Sequence, residues 1–123
     1  MAAPPNRTLV VIPSRWASRR LAGKPLAELD GEPMVWHVVQ RAREAAVGEV
    51  VVATDDERIL EAVRTRGAAA MMTSPGWRNG SERVAEVARS RPDADLVIDL
   101  QGDEPLMDPG VLVALDAHLR DRP

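Results

Sequence analysis

Short apolar runs alternate along the chain with stretches in which apolar residues recur every three or four positions. Leu9-Val10-Val11-Ile12 is an aliphatic run that stops at Pro13, the pattern of a buried strand. Asp30-Gly31 is a turn signal. After Pro33, the residues Met34, Val35, Val38, Val39 and Ala42 return at helical spacing. They predict a helix to about Ala46, with Gly48 as its C-terminal cap. Glu49 to Ala53 is a second buried strand. Asp55 or Asp56 then caps a helix from Glu57 to Arg66, with Ile59, Leu60 and Val63 inward and Gly67 stopping it. Ala68 to Thr73 is a weaker third strand. Asn79 and Glu82 stand at capping-box spacing ahead of a helix from Ser81 to Arg89 that buries Val84, Val87 and Ala88. Asp95 to Leu100 is the fourth strand. Asp108-Pro109 opens a last helix through Val111, Leu112 and Leu115.

Strands that alternate with helices predict an α/β protein: three layers, with a Rossmann-like, mostly parallel sheet. Right-handed crossovers put the first three strands in the order 3-2-1, with the fourth on the far side of the first. A crevice then opens between the C-terminal ends of strands one and four. Ligands bind at such switch points.

Composition narrows the function. The 123 residues suffice for one domain, and with Phe and Tyr absent the core must be aliphatic. A net charge of −3 argues against a nucleic-acid partner. The chain has no Cys, so it has neither disulfide nor thiolate chemistry, which fits a cytoplasmic protein. No apolar run approaches the ~20 residues of a membrane span, so no membrane insertion is expected. Residues 1–7 lack a charged start and an apolar signal core and read as a disordered lead-in. Residues 8–123 read as the folded part.

Both crevice loops carry chemistry. Arg15, Arg19, Arg20 and Lys24 come after the first strand with no acid between them. Such a loop is either a solvated basic face or a polyphosphate cradle, and its place directly after the first strand favours phosphate. Gln101-Gly102-Asp103-Glu104 leaves the fourth strand. There Asp103 is the candidate ligand for Mg²⁺, which would bridge carboxylate and phosphate oxygens. Glu104 assists or faces the scaffold, and Gly102 permits close backbone approach. GxxxxGK[ST] fails, because Ser18 stands where its first Gly belongs and Pro25 follows Lys24. GxGxxG is missing too, which disfavours P-loop NTPases and nicotinamide dehydrogenases. His37, inside a helix with no partner nearby in sequence, reads as a packing or surface residue.

Ile12-Pro13-Ser14-Arg15-Trp16-Ala17-Ser18-Arg19-Arg20-Leu21-Ala22-Gly23-Lys24-Pro25-Leu26 resembles the opening motif of the 3-deoxy-manno-octulosonate cytidylyltransferases, the CMP-Kdo synthetases, which reads roughly IPARYASTRLPGKPL. Gly31-Glu32-Pro33-Met34, Ala53-Thr54-Asp55, Gly80-Ser81-Glu82-Arg83 and Gln101-Gly102-Asp103-Glu104-Pro105 extend the resemblance in order over nearly the whole chain. It implies an incomplete fold of the nucleotide-diphospho-sugar transferase type, the N-terminal half of a longer enzyme. It also implies transfer of CMP from CTP to a 3-deoxy sugar acid (Kdo) for lipopolysaccharide precursors, with release of pyrophosphate and with Mg²⁺ as cofactor. By resemblance, Arg15, Ser18, Arg20, Lys24, Ser81 and Gln101 bind the nucleotide. Lys24 and Asp103 are catalytic, and Asp103 is the metal ligand. The full-length enzyme is expected to be a cytoplasmic homodimer.

The chain departs from the family's motifs in places. Trp16 replaces a Tyr, Arg19 a Thr and Ala22 a Pro, while Asn79 and Ser81 replace Ser and Thr. Its length is about half the family's, so the chain is expected to be truncated and inactive alone. The alternatives are a non-catalytic CTP-binding module, or another sugar nucleotidyltransferase such as an acylneuraminate cytidylyltransferase.

Overall fold

The computed structural model describes residues 7–16, 23–74, 80–100 and 108–120. The first element, β1 (Thr8–Pro13), is buried along Thr8–Ile12. From Gly23 the chain makes a single 3-10 turn, Lys24–Leu26, and then a short antiparallel hairpin of β2 (Glu28–Leu29) and β3 (Glu32–Pro33). The hairpin turns at Asp30-Gly31, as the sequence signal indicates, with positive φ at both residues.

Helix α1 (Met34–Ala45) buries Val35, Val38, Val39, Ala42 and Ala45, the stripe its spacing predicts. Its C-terminal cap differs from expectation. Ala46 takes the left-handed conformation (φ 53°) and its N–H donates to the Arg43 carbonyl. Gly48 instead opens β4 (Gly48–Thr54). A Cβ at Gly48 would lie 1.9 Å from the Thr8 carbonyl oxygen, so glycine serves the close approach of two strands there.

Helix α2 (Glu57–Arg64) is capped by Asp56 and leads to β5 (Ala69–Met72). It ends two residues before the expected Arg66, and Gly67 sits beyond in a left-handed turn (φ 83°). The remaining elements are α3 (Gly80–Arg89), β6 (Leu96–Asp99) and α4 (Pro109–Arg120). Asp108 caps α4 by accepting from the Gly110 N–H at 2.9 Å. No helix among the described residues is long and apolar enough to cross a membrane.

The four long strands pair in parallel in the order β5-β4-β1-β6, the arrangement expected from sequence. Alternate residues of β1 face opposite sides, which builds two cores. Val10 and Ile12 join Val52, Ile98 and residues of α1, α2 and α4, including Leu112. Leu9 and Val11 join Val51, Ala53 and the α3 residues Val84 and Val87. Among the described residues, helix α3 is the helix on its face, because the chain crosses from β5, at one edge, to β6 at the other. Each buried Val or Ile contributes roughly 1.5–3 kcal/mol, and such stiff side chains lose little rotamer freedom. Arg7, assigned by sequence to a disordered lead-in, is instead fastened at the foot of the sheet. Its guanidinium donates to Asp93 (3.0 Å) and its carbonyl accepts from the Asp95 N–H (2.9 Å).

Candidate functional site

At the C-terminal end of the sheet, β1, β4 and β5 stop side by side; the loop that leaves β6 lies outside the described residues. Past Pro13, the Ser14 N–H donates to the Ala53 carbonyl at 2.8 Å, so the ladder runs one residue beyond the strand. Ser14 is buried, and its Oγ has no hydrogen-bond partner among the described residues. A ligand or an ordered water would satisfy such a hydroxyl. Arg15, next along, is exposed.

Trp16 pins the stem of the basic segment. Its carbonyl accepts from the Gly23 N–H at 2.8 Å, which brings the two ends of that segment together. Gly23 is left-handed (φ 76°), and a Cβ there would meet Trp16 Cη2 at 2.7 Å, so the indole packs against the glycine backbone. The Arg58 guanidinium covers the same ring, 3.3 Å from its centroid. Arg58 is itself held by Asp56, whose Oδ1 accepts from Nε (3.0 Å) and Oδ2 from Nη2 (2.7 Å). Asp56 Oδ1 also caps α2 through the Arg58 backbone N–H (2.8 Å). These bonds from Arg58 hold the Asp56 carboxyl below its ordinary pKa, and Asp56 in turn raises that of Arg58. Lys24 opens the 3-10 turn directly after Gly23. The structure thus brings Arg15 and Lys24, two of the expected phosphate ligands, to one stem.

A buried arginine stands at the same end of the sheet. Arg83, on α3, donates through Nη1 to Thr73 Oγ1, and its Nη2 lies 3.5 Å from Asp55 Oδ2. Thr73 donates through both N–H (2.8 Å) and Oγ1 (3.1 Å) to the Thr54 carbonyl. Two segments singled out in the sequence, Ala53-Thr54-Asp55 and Gly80-Ser81-Glu82-Arg83, are therefore joined internally. Ser81 is exposed in the first turn of α3. At the end of β6, the Leu100 N–H donates to the Val11 carbonyl (2.9 Å), and burial pushes the Asp99 carboxyl up.

Ser18, Arg20, Gln101 and Asp103 lie outside the described residues, as do Arg19, Asn79, Gly102 and Glu104. Among the described residues no cluster of metal-ligating side chains converges. His37 Nε2 donates to the Leu29 carbonyl of β2, the packing role its sequence context suggests. A cavity of about 380 Å³ lies at the opposite, N-terminal end of the strands, lined by Arg7, Thr8, Gly48, Glu49 and Arg91 among others. Its arginines are paired with Asp93 and Glu49, and it is remote from the crevice. Sequence reasoning missed Arg58 and the inward placement of Arg83. The available signals were an Arg two residues after a capping Asp, and an Arg that closes one family-like segment while an Asp closes another.

A parallel sheet in the order β5-β4-β1-β6, flanked by helices, defines an α/β domain of nucleotidyltransferase type. The chain belongs to the cytidylyltransferase family, which it matches over residues 9–123. It is 53% identical over 116 residues to a 3-deoxy-manno-octulosonate cytidylyltransferase of Myxococcus xanthus, covering 94% of this chain and 47% of that protein. It is 56% identical over 115 residues to the protein of the same name from Methylococcus capsulatus, covering 92% and 45%. Among solved structures, CMP:2-keto-3-deoxy-manno-octonic acid synthetase complexed with CTP superposes with a TM-score of 0.91 at 43% identity, over 96% of this chain and 49% of that one. The chain spans about half the length of the curated relatives it matches.

Proposed function

We propose that this chain is the nucleotide-binding half of an enzyme that transfers CMP from CTP to a 3-deoxy sugar acid such as Kdo. The observation that carries the reading is the likeness, across 96% of the chain, to a synthetase whose structure was solved with CTP. In the reaction, the anomeric hydroxyl of the sugar acid attacks the α-phosphorus. A new P–O bond forms there, the bond to the bridging oxygen breaks, and pyrophosphate leaves with the electron pair while the hydroxyl proton is released. This chemistry needs positioning and charge neutralisation more than a protein nucleophile.

Arg15, Arg20 and Lys24 offset the triphosphate charge, and Lys24 also offsets the charge that builds on the leaving pyrophosphate. Ser18, Ser81 and Gln101 complete the nucleotide contacts. Asp103 would hold Mg²⁺, which when bound shares the phosphate charge. The acceptor pocket, the dimer contact and a second metal carboxylate are assigned to the part of the relatives that this chain does not match. Binding without turnover is therefore expected of these residues alone. Calorimetry with CTP, UTP and ATP in the presence of Mg²⁺ tests the assignment, beside a pyrophosphate-release assay with Kdo. Selective CTP binding is the expected result, and no preference for CTP would overturn it.

A further inference from the structure

Arg15 immediately precedes Trp16, and Lys24 immediately follows Gly23. The two site cations are therefore the outer neighbours of a pair locked together by a 2.8 Å hydrogen bond and by an indole packed on a glycine. That indole is covered by an arginine from another element. We propose that Trp16 and Arg58 form a clamp that sets the spacing of Arg15 and Lys24, making both positioning residues for the nucleotide triphosphate. The inference rests on the cytidylyltransferase reading given above.

The clamp is built for position. Arg58 stands at the start of α2, whose inner residues Ile59 and Val63 are anchored in the core. Its guanidinium cannot swing freely, because Asp56 grips it along two edges. The ring thus rests on a fixed plane. Asp56 also offsets the charge of the guanidinium that covers the ring. A carboxylate paired with it makes the support close to neutral. The Arg58 side chain is 58% exposed, so the contact adds little to global stability. Its effect falls on the geometry of the stem.

The test uses the 123-residue chain and the variants Trp16→Leu, Trp16→Tyr, Arg58→Gln and Arg58→Lys. In ligand-free protein, amide exchange at Gly23 reads the stem without reference to any nucleotide. Trp16→Leu and Arg58→Gln should both speed that exchange, and Arg58→Gln should do so while leaving the midpoint of unfolding nearly unchanged, whereas Trp16→Leu also removes packing against the core. Each should weaken CTP binding roughly fivefold, the equivalent of the ~1 kcal/mol such a contact is worth at an exposed site. Trp16→Tyr keeps a π face and should rescue binding. Arg58→Lys keeps the charge but loses the flat stack, and should rescue it only in part. The double variant should lose no more than either single variant, because the two side chains act as one unit. Independent contributions from the two side chains would instead add. If the unaltered chain binds CTP and the variants bind it equally well, the clamp is overturned. If Gly23 exchange responds as expected but the unaltered chain binds no CTP, the nucleotide reading fails, and the positioning role fails with it.

Discussion

Asp55 and Asp56 are neighbours at the end of β4, and each holds an arginine; the two carboxylates are similarly half-buried (21% and 16% exposed), but their arginines sit in different surroundings. The side chain of Arg83, paired with Asp55, is 2% exposed, whereas that of Arg58, paired with Asp56, is 58% exposed. The first joins β4, β5 and α3 from the inside. The second lies on the surface and braces the stem between Trp16 and Gly23. A buried ion pair is integral to the fold, because either partner left alone is an uncompensated charge. An exposed pair contributes little to folding and leaves its geometry available for other work. The guanidinium of Arg83 is therefore tied into the interior, while that of Arg58 lies at the surface against Trp16.

The contrast is most exposed to a change at Arg83. Arg83→Met removes the guanidinium but keeps the bulk, leaving Asp55 and Thr73 without their inner partner. A loss of about 3 kcal/mol is expected in urea unfolding. A loss below ~1 kcal/mol would mean that both pairs are peripheral and the contrast is false. On the ligand side, Lys24→Ala and Arg15→Ala should each weaken CTP binding by about 1.5–3 kcal/mol, roughly 10- to 150-fold. Their effect on unfolding should stay within about 0.5 kcal/mol. Calorimetry and denaturation on the same samples separate the two quantities.

Asp56 joins the two sides, since it caps α2 as well as holding Arg58. Asp56→Ala should cost about 1 kcal/mol through the lost cap. Its pH signature has a definite sign. The Asp56 pKa is lowered in the folded state, chiefly by the Arg58 hydrogen bond. Its stabilisation is therefore fully present above the ordinary value of 3.8 and is lost as pH falls from there through the folded value. In Asp56→Asn that acid-side loss should disappear from a series of urea melts. Asp99 works in the opposite sense and should give the smallest effect. Burial raises its pKa, so the folded state holds its proton more tightly than the unfolded chain does. Stability then declines as pH rises from the ordinary carboxylate value through the raised one. Asp99→Asn should flatten that decline, and an unchanged slope would remove Asp99 from the account.

The sheet was legible because β1, β4 and β6 are apolar, largely β-branched runs bounded by polar residues, and α1 because its stripe repeats cleanly. The choice between Asp55 and Asp56 as the α2 cap was not legible, since both can accept from a backbone N–H. Tertiary structure decides it, because Asp55 faces the buried Arg83. Arg83 itself reads as a surface residue on any propensity argument. Only the meeting of three elements gives it an interior place, and a partner 28 residues distant carries no local signal. The two-residue strands β2 and β3 are too short for periodicity to register. At Ala46, chain geometry outweighed residue preference: the left-handed turn falls two residues before the glycine expected to make it. Of the candidate site, the cations were legible as a cluster. Their pairing across a tryptophan was not, because it depends on Arg58 arriving from another element.

The placement of Trp16 has an optical consequence. The chain has three tryptophans and no tyrosine or phenylalanine, so its near-ultraviolet absorption and its emission come from indole alone. One of those indoles, Trp16, follows Arg15 and packs on Gly23 next to Lys24, under a guanidinium 3.3 Å from its centre. An anion held by either cation, as proposed, would alter the field at that chromophore. The protein would thus carry an unlabelled fluorescent gauge beside the proposed site, read against the emission of Trp36, which packs on the core.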